Sequence, residues 1–285
     1  MSTPRSLLLA SAARLREAGV PDPVNDAALL LSSLCRRPPL ELRLDQETEL
    51  SPPLEAEYEQ LLALRLRRIP LQYILKETVF CGLLCHTDSR ALIPRPETEL
   101  LCLWARELIQ DPEGKTLLDL CCGTGCIGLT LKHWFPSLSV TLADASRDAL
   151  ALAAENAARL ACRVTLAQGD LFAAVPNRQF DWILSNPPYI PSEACLTLQE
   201  EVRREPLMAL DGGADGLDFY RRIIPDSLNA LKPGGTLLME LGWGEAEAVR
   251  DMLEKAGFCR ITVRQDDRQI SRMIGAQAPD RRSHG

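Results

Sequence analysis

The segment over residues 117–128 constrains the fold of this chain more than any other. An apolar run at 117–120 predicts a buried strand, and glycines follow at positions 123, 125 and 128 before a helical pattern begins. Glycine permits a tight turn and lets a ligand come against bare backbone, close to the N–H groups that begin a helix. The spacing satisfies the G-x-G-x-x-G fingerprint of nucleotide-binding α/β folds. It therefore predicts a cofactor loop between a strand and a helix.

Strands and helices alternate through the rest of this region. We expect strands at 116–120, 140–143, 163–167, 182–185, 236–241, 260–264 and 273–277, and helices at 98–109, 148–160, 218–231 and 245–256. This alternation is typical of a doubly wound parallel sheet that binds ligands at the carboxyl ends of its strands. Only residues 265–272 separate the last two strands, too few for a crossover helix, so these strands should pair antiparallel. The expected fold class is α/β, a Rossmann-like seven-stranded sheet with a reversed last strand, which is the layout of class I S-adenosylmethionine methyltransferases.

The first 70 residues differ, being rich in leucine and alanine at helical spacing. Leu7, Leu8 and Leu15 would share one helix face, a second helix is expected around residues 27–34, and residues 54–66 give a third. Proline pairs at 38–39 and 52–53 interrupt the pattern. We therefore expect a small N-terminal helical bundle over residues 1–70. It serves either as a folding cap or in recognition of a protein substrate.

Residues 71–93 contain three short β-prone runs, Tyr73-Ile74-Leu75, Thr78-Val79-Phe80 and Leu83-Leu84-Cys85. Such runs in close succession predict a β-hairpin linker. The methyltransferase domain is then expected to cover residues 94–285.

Charge and cysteine content narrow the functional classes. The chain has 285 residues and a net charge of -7, which points away from nucleic-acid binding because neutralising phosphates needs a basic surface. Its ten cysteines are scattered through apolar stretches, as reduced buried thiols are, without the paired spacing of a zinc site. No apolar run approaches the ~20 residues of a membrane helix, and the N-terminus lacks the apolar core of a signal peptide. We expect a cytoplasmic protein that needs no metal.

The acidic residues near the glycine loop bear on the cofactor class. Asp144 ends the second strand about 20 residues after the loop, where this fold places a carboxylate on an adenosine ribose. The fingerprint alone does not separate NAD from S-adenosylmethionine, because both present that ribose. Asp119, directly before the loop, favours a methyltransferase, in which an acid lies under the positively charged methionine end of the cofactor. Asp170 follows the third strand and is expected either beside the adenine or in a plain turn.

The motif Asn186-Pro187-Pro188-Tyr189 closes the expected strand at 182–185. Proline has no N–H and restricts the residue before it, so the loop is a rigid set of hydrogen-bond acceptors. An NH2 group on an sp2 carbon is a poor nucleophile because its lone pair is delocalised. The Asn186 side-chain oxygen and the Pro187 carbonyl would each accept one of its N–H groups and hold the nitrogen in line with a methyl donor. Tyr189 would stack on the planar group.

With three further segments, the chain resembles the release-factor glutamine methyltransferase family (HemK/PrmC type). These segments are Pro70-Leu71-Gln72-Tyr73-Ile74-Leu75, Leu92-Ile93-Pro94-Arg95-Pro96-Glu97-Thr98-Glu99, and Glu205-Pro206 leading to Ala209-Leu210 and Asp215-Gly216-Leu217. The likeness covers nearly the whole chain. It implies transfer of a methyl group from S-adenosyl-L-methionine to the side-chain amide nitrogen (N5) of the glutamine in the Gly-Gly-Gln motif of class I peptide chain release factors, which modulates translation termination.

The resemblance also implies individual roles. The residues that would bind the cofactor are Cys121, Cys122, Gly123, Thr124, Gly125, Asp144 on the ribose, Leu171 beside the adenine, and Asn186. The residues that would bind the substrate are Asn186, Pro187, Pro188 and Tyr189, and the catalytic set is Asn186, Pro187 and Tyr189. Arg95 and Glu97 would form part of the wall of the cofactor site.

Three positions depart from similar sequences, which usually have glycine there. They are Lys76, Cys121 and one position within Asp267-Arg268-Gln269, before the last strand. We expect these departures to affect hairpin geometry and cofactor affinity, and to leave the Asn-Pro-Pro-Tyr chemistry intact.

Three alternatives stay open from the sequence. One is glutamine methylation of a ribosomal protein. A second is an adenine-N6 or cytosine-N4 methyltransferase that acts on a flipped base, which would need a basic groove and a target-reading domain. The third is an NAD-dependent oxidoreductase, which rests on the glycine fingerprint alone.

Overall fold

The computed structural model describes residues 2–280. Within them the chain forms two compact units. The first, which we call the helical unit, contains the residues up to Glu77 and the later segment Gln199–Arg204. The second, the sheet unit, contains Thr78–Leu198 and the residues from Glu205 onward.

Among its described residues, the helical unit has a short 3-10 helix at Val202–Arg204 and five α-helices. The α-helices are α1 (Pro4–Glu17), α2 (Pro23–Cys35), α3 (Pro39–Leu44), α4 (Pro52–Leu66) and α5 (Leu71–Leu75). Each of the first four begins at a proline, which fits the first turn because no N–H is needed there. Leu15, Leu30, Tyr58 and Leu62 are fully buried between them. The expected bundle is confirmed, with α3 in addition.

The prediction of β structure at Tyr73-Ile74-Leu75 is wrong, because these residues lie in α5. Pro70 stands at the N-cap of this helix and Leu71 is buried in the core of the helical unit. Burial of the first turn therefore outweighs the β propensity of the side chains. The helix ends at Lys76, which has a left-handed φ of 60°.

A charged cluster lies inside the helical unit. Arg65 is only 3% exposed. Its Nε contacts Asp26 Oδ2 at 2.7 Å and its Nη2 contacts Glu201 Oε1 at 2.8 Å. Arg68 reaches the other oxygen of Glu201 at 2.6 Å. Buried charges persist only when they are paired, so Glu201 ties the segment Gln199–Arg204 to α4.

The sheet unit begins with the linker hairpin and continues into the large sheet. Strands β1 (Glu77–Phe80) and β2 (Leu83–His86) form a separate two-stranded sheet, as predicted. The large sheet contains β3 (Thr116–Leu120), β4 (Ser139–Asp144), β5 (Thr165–Gln168), β6 (Phe180–Ser185), β7 (Leu231–Glu240), β8 (Cys259–Gln265) and β9 (Ser271–Gln277). Its helices are α6 (Pro96–Leu108), α7 (Cys126–Trp134), α8 (Arg147–Arg159), α9 (Ser192–Cys195), α10 (Asp218–Ala230) and α11 (Ala246–Ala256).

The large sheet has the order β5-β4-β3-β6-β7-β9-β8. Strands β3 to β7 pair in parallel, and β9 runs antiparallel to both β7 and β8. The seven-stranded sheet with a reversed last strand is thus confirmed. The strand order reverses at β3, which has β4 on one side and β6 on the other. In open α/β sheets a ligand crevice lies outside the carboxyl ends of the strands at this point.

Alternate residues of β3 point to opposite faces of the sheet, and each face has its own apolar core. Leu117 packs in the cluster that includes Leu129 of α7 and Leu142 of β4. Leu118 packs in the cluster that includes Ile223 of α10 and Leu253 of α11. The sheet is therefore buried on both sides, and its carboxyl edge is where side chains can meet a ligand. Among residues 2–280, no helix is long and apolar enough to cross a membrane.

The three departures from glycine noted in the sequence all involve left-handed backbone. Lys76 and Cys121 each have φ of 60°, and Gln269 has φ of 61°. Glycine adopts this conformation without steric cost, whereas another residue is strained by roughly 1–2 kcal/mol. The chain therefore keeps the turns that glycine would make and bears a local strain at each.

Candidate active site

A cavity of about 550 Å3 opens at the carboxyl ends of the central strands in the sheet unit. Its walls come from the loops after β3, β4, β5 and β6, together with residues 90–95 and 206–209. The cavity therefore occupies the crevice that the reversal of strand order predicts.

The loop after β3 forms one wall of the cavity through its left-handed turns. Gly123 has φ of 53°, and a methyl group placed on it would meet only Ala91 Cβ, at 3.9 Å, so ligand can approach the backbone there. Gly125 has φ of 79° and packs against Leu142, and α7 begins at the next residue. At Gly128 an added methyl group would lie 2.3 Å from Leu142 Cδ2. Gly123 thus leaves room for a ligand, Gly125 makes the turn into α7, and Gly128 allows α7 to pack closely on β4.

Asp144 fixes this loop from the end of β4. Its Oδ2 accepts the Gly123 N–H at 2.9 Å, and its Oδ1 accepts the Ser146 N–H at 2.8 Å. Burial raises the pKa of this carboxyl above its usual value, with both N–H groups opposing the shift. Each oxygen has further acceptor capacity, which suits the hydroxyls of a ribose.

Asp119 lies beneath the loop, fully buried, and does not line the cavity. Its Oδ2 accepts the Gly128 N–H at 2.8 Å, while its Oδ1 has no hydrogen-bond partner among the described residues. Burial raises its pKa to about 7, with a further contribution from Asp144. A buried carboxylate with an unpaired oxygen is stabilised by a nearby cation, so the loop above Asp119 fits a positively charged ligand such as a sulfonium.

Asn186, directly after β6, also lines the cavity, and its side chain is held by hydrogen bonds. Its Nδ2 donates to Thr98 Oγ1 at 3.1 Å, and the Thr98 hydroxyl donates to Glu240 Oε2 at 2.6 Å. The other oxygen of Glu240 accepts from the Tyr189 hydroxyl at 3.3 Å. Glu240 is buried at the end of β7, and burial raises its pKa to about 7. Burial is also the main cause that raises the pKa of Tyr189 far above its usual value.

The backbone of the Asn-Pro-Pro-Tyr motif is held by a close glycine contact. The Ile190 N–H donates to the Leu210 carbonyl at 2.9 Å, and the Gly212 N–H donates to the Ile190 carbonyl at 2.8 Å. A methyl group on Gly212 would lie 2.7 Å from Tyr189 Cα, and one on Gly216 would lie 2.5 Å from the Tyr189 carbonyl oxygen. The segment after Ala209 therefore acts as a backbone support for residues 189 and 190.

Glu205 connects the two cavity walls that do not come from strand ends, residues 90–95 and residues 206–209. Its side chain is buried, accepts the Ile93 N–H at 2.9 Å through Oε2, and pairs with Arg95 through Oε1. Residues 206–209 and Arg95 both line the cavity. Glu205 therefore holds the two walls together. Glu97 does not line the cavity.

The structure brings most of the expected site residues to this cavity. Those that line it are Cys121, Cys122, Gly123, Thr124, Asp144, Leu171, Asn186 and Pro188. Gly125 packs against Leu142 and does not line the cavity, and Pro187 and Tyr189 lie next to lining residues without being among them. Stacking of Tyr189 on substrate stays a prediction. Asp170 lines the cavity as well, and its carboxylate pairs with Arg222 at 2.5 Å.

Sequence reasoning missed the pairing of Thr98 with Glu240 and the role of Glu205. Thr98 and Glu205 stand in segments already singled out, Pro96-Glu97-Thr98-Glu99 and Glu205-Pro206. A signal for Glu240 exists in its position, an acid at the carboxyl end of an apolar strand. No group of three or more His, Cys, Asp or Glu side chains in residues 2–280 is arranged to hold a metal.

Comparisons with known proteins match each unit to a known domain family. Residues 98–204 match the Methyltransferase small domain family, and residues 6–75 match the PrmC N-terminal domain family. The chain is 42% identical over 264 residues to the release factor glutamine methyltransferase of Geobacter sulfurreducens, covering 92% of each chain. It is 39% identical over 273 residues to that of Deinococcus radiodurans, covering 96% of this chain and 98% of the relative.

Solved structures agree on the fold. A methyltransferase from Pyrococcus furiosus matches with a TM-score of 0.54 at 18% identity, over 70% of this chain and 90% of that one. The T. thermophilus 16S rRNA N2 G1207 methyltransferase, in complex with AdoMet and guanosine, matches with a TM-score of 0.51 at 18% identity, over 71% of this chain and 49% of that one. With its sheet order, its Asn-Pro-Pro-Tyr motif at the end of β6 and relatives similar along nearly their whole length, the chain belongs to the release factor glutamine methyltransferase family.

Proposed function

We propose that this protein transfers a methyl group from S-adenosyl-L-methionine to the side-chain amide nitrogen of the glutamine in the Gly-Gly-Gln motif of class I peptide chain release factors. The observation that carries the proposal is the Asn186 carboxamide, held by a hydrogen bond to Thr98 in a cavity that Asp144 also lines. We further propose that the protein acts in the cytoplasm and binds neither nucleic acid nor a membrane directly.

The residues around the cavity fit this cofactor. When bound, S-adenosylmethionine supplies a methyl group on a positively charged sulfur. Asp144 is placed to accept ribose hydroxyls, and the buried charge of Asp119 favours a cation at the loop. Leu171 offers an apolar contact for an adenine ring, since it is buried and lines the cavity. The net charge of -7 is consistent with a protein substrate.

The substrate nitrogen must be made nucleophilic, because its lone pair is delocalised into the carbonyl. With Nδ2 of Asn186 engaged by Thr98, Oδ1 is the atom left to accept an N–H of the glutamine amide. The Pro187 carbonyl is the second acceptor in this proposal. Two acceptors would hold the nitrogen against the methyl donor and stabilise the positive charge that builds on it as the nitrogen–methyl bond forms and the sulfur–methyl bond breaks. One N–H proton then leaves to solvent water.

The test is methyl transfer from tritium-labelled S-adenosylmethionine to a purified class I release factor. We expect label on the intact release factor and none on a variant whose Gly-Gly-Gln glutamine is replaced by alanine. DNA and ribosomal proteins serve as competing acceptors in the same assay. Label on either of these, with none on the release factor, would refute the proposal.

Asn186→Ala tests the role of the carboxamide. We expect the rate of transfer to fall by roughly 100-fold or more, since a positioned hydrogen-bond partner of the reacting group is lost. Cofactor affinity, measured by calorimetry, should weaken much less, because Asp144 and the glycine loop remain. Equal losses in cofactor affinity and in transfer rate would contradict the assigned role.

A further inference from the structure

Asn186 is the first member of a line of hydrogen bonds that leads away from the cavity. Nδ2 of Asn186 lies 3.1 Å from Thr98 Oγ1, and Thr98 Oγ1 lies 2.6 Å from Glu240 Oε2. Thr98 is in the first turn of α6 and is buried, as is Glu240. The line therefore connects the end of β6, the start of α6 and the end of β7 within the sheet unit.

The donors and acceptors in this line are ordered by chemistry. An ionised carboxylate can only accept hydrogen bonds, so the Thr98 hydroxyl must donate its one hydrogen bond to Glu240. Thr98 Oγ1 then has only lone pairs to offer Asn186. Only the NH2 end of the Asn186 amide can satisfy them, which turns its oxygen away from Thr98.

This order decides which atom of Asn186 a substrate meets. A carboxamide flipped by half a turn has nearly the same shape but presents two N–H donors in place of an oxygen. The NH2 group of a substrate glutamine is itself a hydrogen-bond donor, so the flipped Asn186 carboxamide would place donor against donor. We propose that Thr98 and Glu240 are positioning residues that lock the Asn186 carboxamide with Oδ1 toward the substrate amide. This inference rests on the proposed function.

The surroundings of Glu240 support a charge-dependent lock. The Tyr189 hydroxyl donates to its Oε1 at 3.3 Å, the Tyr220 hydroxyl donates to its backbone carbonyl at 2.8 Å, and Glu97 and Arg272 act on it through space. Burial raises the pKa of Glu240 to about 7, and Thr98 and Tyr189 oppose the shift.

A protonated Glu240 can donate a hydrogen bond to Thr98. The Thr98 hydroxyl is then free to donate to Asn186, and the lock is released. The turnover rate should then fall as the pH drops through about 7.

Thr98→Val and Thr98→Ser form a matched pair for the test. Valine has the shape of threonine without the hydroxyl, and serine keeps the hydroxyl. With saturating S-adenosylmethionine and release factor, we expect kcat of the valine variant to fall about tenfold, since a buried donor loses its acceptor. Its KM for release factor and Kd for cofactor should stay within about twofold of wild type, because the amide orientation matters mainly in the transfer step. The serine variant should recover most of kcat.

Glu240→Gln tests which groups donate and which accept in the hydrogen bonds that join Asn186, Thr98 and Glu240. The glutamine side chain can donate to Thr98 and so favour the flipped Asn186 amide, and it does not titrate. We expect kcat to fall and its dependence on pH near 7 to disappear. The combination of Glu240→Gln with Thr98→Val should be no slower than Thr98→Val alone, because both changes act through one hydroxyl.

Two readouts separate failure of this inference from failure of the proposed function. If wild-type protein methylates release factor and Thr98→Val matches its kcat, or loses cofactor affinity in step with kcat, the positioning role is wrong. If wild-type protein does not methylate release factor, the proposed function is wrong. The lock is then judged by the side-chain amide signal of Asn186 in nitrogen-15 NMR spectra. That signal should move in Thr98→Val and stay near its wild-type position in Thr98→Ser, and an unmoved signal in the valine variant overturns the lock.

Discussion

Gly212→Ala is expected to damage catalysis by moving the Asn-Pro-Pro-Tyr motif without touching any of its side chains. The added methyl group would lie 2.6 Å from the Gly216 carbonyl oxygen, 2.7 Å from Tyr189 Cα and 2.8 Å from the Tyr189 carbonyl carbon. Carbon atoms rest about 3.5 Å apart or more, so the two backbone segments must separate by roughly 0.8 Å. All three atoms belong to the backbone, so no side-chain rotation relieves the contact.

Two effects follow from that separation. Overpacking of this kind costs roughly 1–3 kcal/mol of unfolding free energy. A displacement approaching 1 Å at a reacting group can cost up to about 100-fold in rate. We therefore expect kcat for release factor methylation to fall by about 10- to 100-fold, while the affinity for cofactor, whose loop lies after β3, changes little.

Gly114→Ala is the matched control for this experiment. Gly114 has φ of 67° and no atom within 4 Å of an added methyl group. Its substitution therefore costs stability through backbone strain, about 1–2 kcal/mol, without displacing the site. Thermal unfolding and kcat should be measured for both variants. A folded Gly212→Ala variant with wild-type kcat would refute the argument that glycine contact fixes the motif.

Three further changes have expected outcomes. Glu201→Gln should lower the free energy of unfolding by about 3 kcal/mol in urea titration, because the buried Arg65 loses a charged partner. Glu200→Gln is the control and should change the free energy of unfolding far less, because its ion pair is exposed. Cofactor affinity, measured by calorimetry, should fall as the pH drops below about 7, because a cationic ligand favours the ionised form of Asp119 and must displace its proton. Asp119→Asn should remove this dependence on pH. Lys76→Gly should raise the free energy of unfolding by up to about 1 kcal/mol in the same urea assay, because relief of left-handed strain exceeds the added freedom of the unfolded chain.

Each of these has a distinct contrary result. Equal destabilisation by the two glutamate substitutions would mean that burial of the Arg65 pair is unimportant. A cofactor affinity that is flat from pH 6 to 8 would place the raised pKa of Asp119 in doubt. A Lys76→Gly variant less stable than wild type would show that the lysine side chain outweighs its backbone strain.

The sheet unit was largely predictable from sequence because its signals are local. The strand at Thr116–Leu120 was located at both ends, since an apolar run meets a glycine loop there. The antiparallel ending followed from the few residues between β8 and β9. The glycine spacing and the prolines of residues 187 and 188 are also local, so the cavity could be expected at the ends of β3 and β6.

The remaining features depend on contacts that no local pattern encodes. Thr98 and Glu240 are 142 residues apart in sequence, and each looks ordinary in its own segment. In the short helix Leu71–Leu75, Tyr73 and Ile74 favour β structure, whereas Pro70 at the N-cap and the burial of Leu71 favour the helix. The residues at Lys76, Cys121 and Gln269 carry no local signal for a left-handed turn, because the usual glycine is missing there, and only the likeness to similar sequences points to these positions.

The segment Gln199–Arg204 has a consequence for how the helical unit is made. The first partner of Arg65, Asp26, precedes it by 39 residues in the chain, whereas the second, Glu201, follows it by 136 residues. During synthesis α1 to α5 leave the ribosome long before Glu201 exists, so the N-terminal helices first assemble around a guanidinium with one carboxylate instead of two. Closing so long a loop costs conformational entropy, and that closure must wait for β3 to β6 to be translated. Completion of the first unit thus becomes a late event in folding, and a fragment ending before residue 199 would leave Arg65 without its second partner.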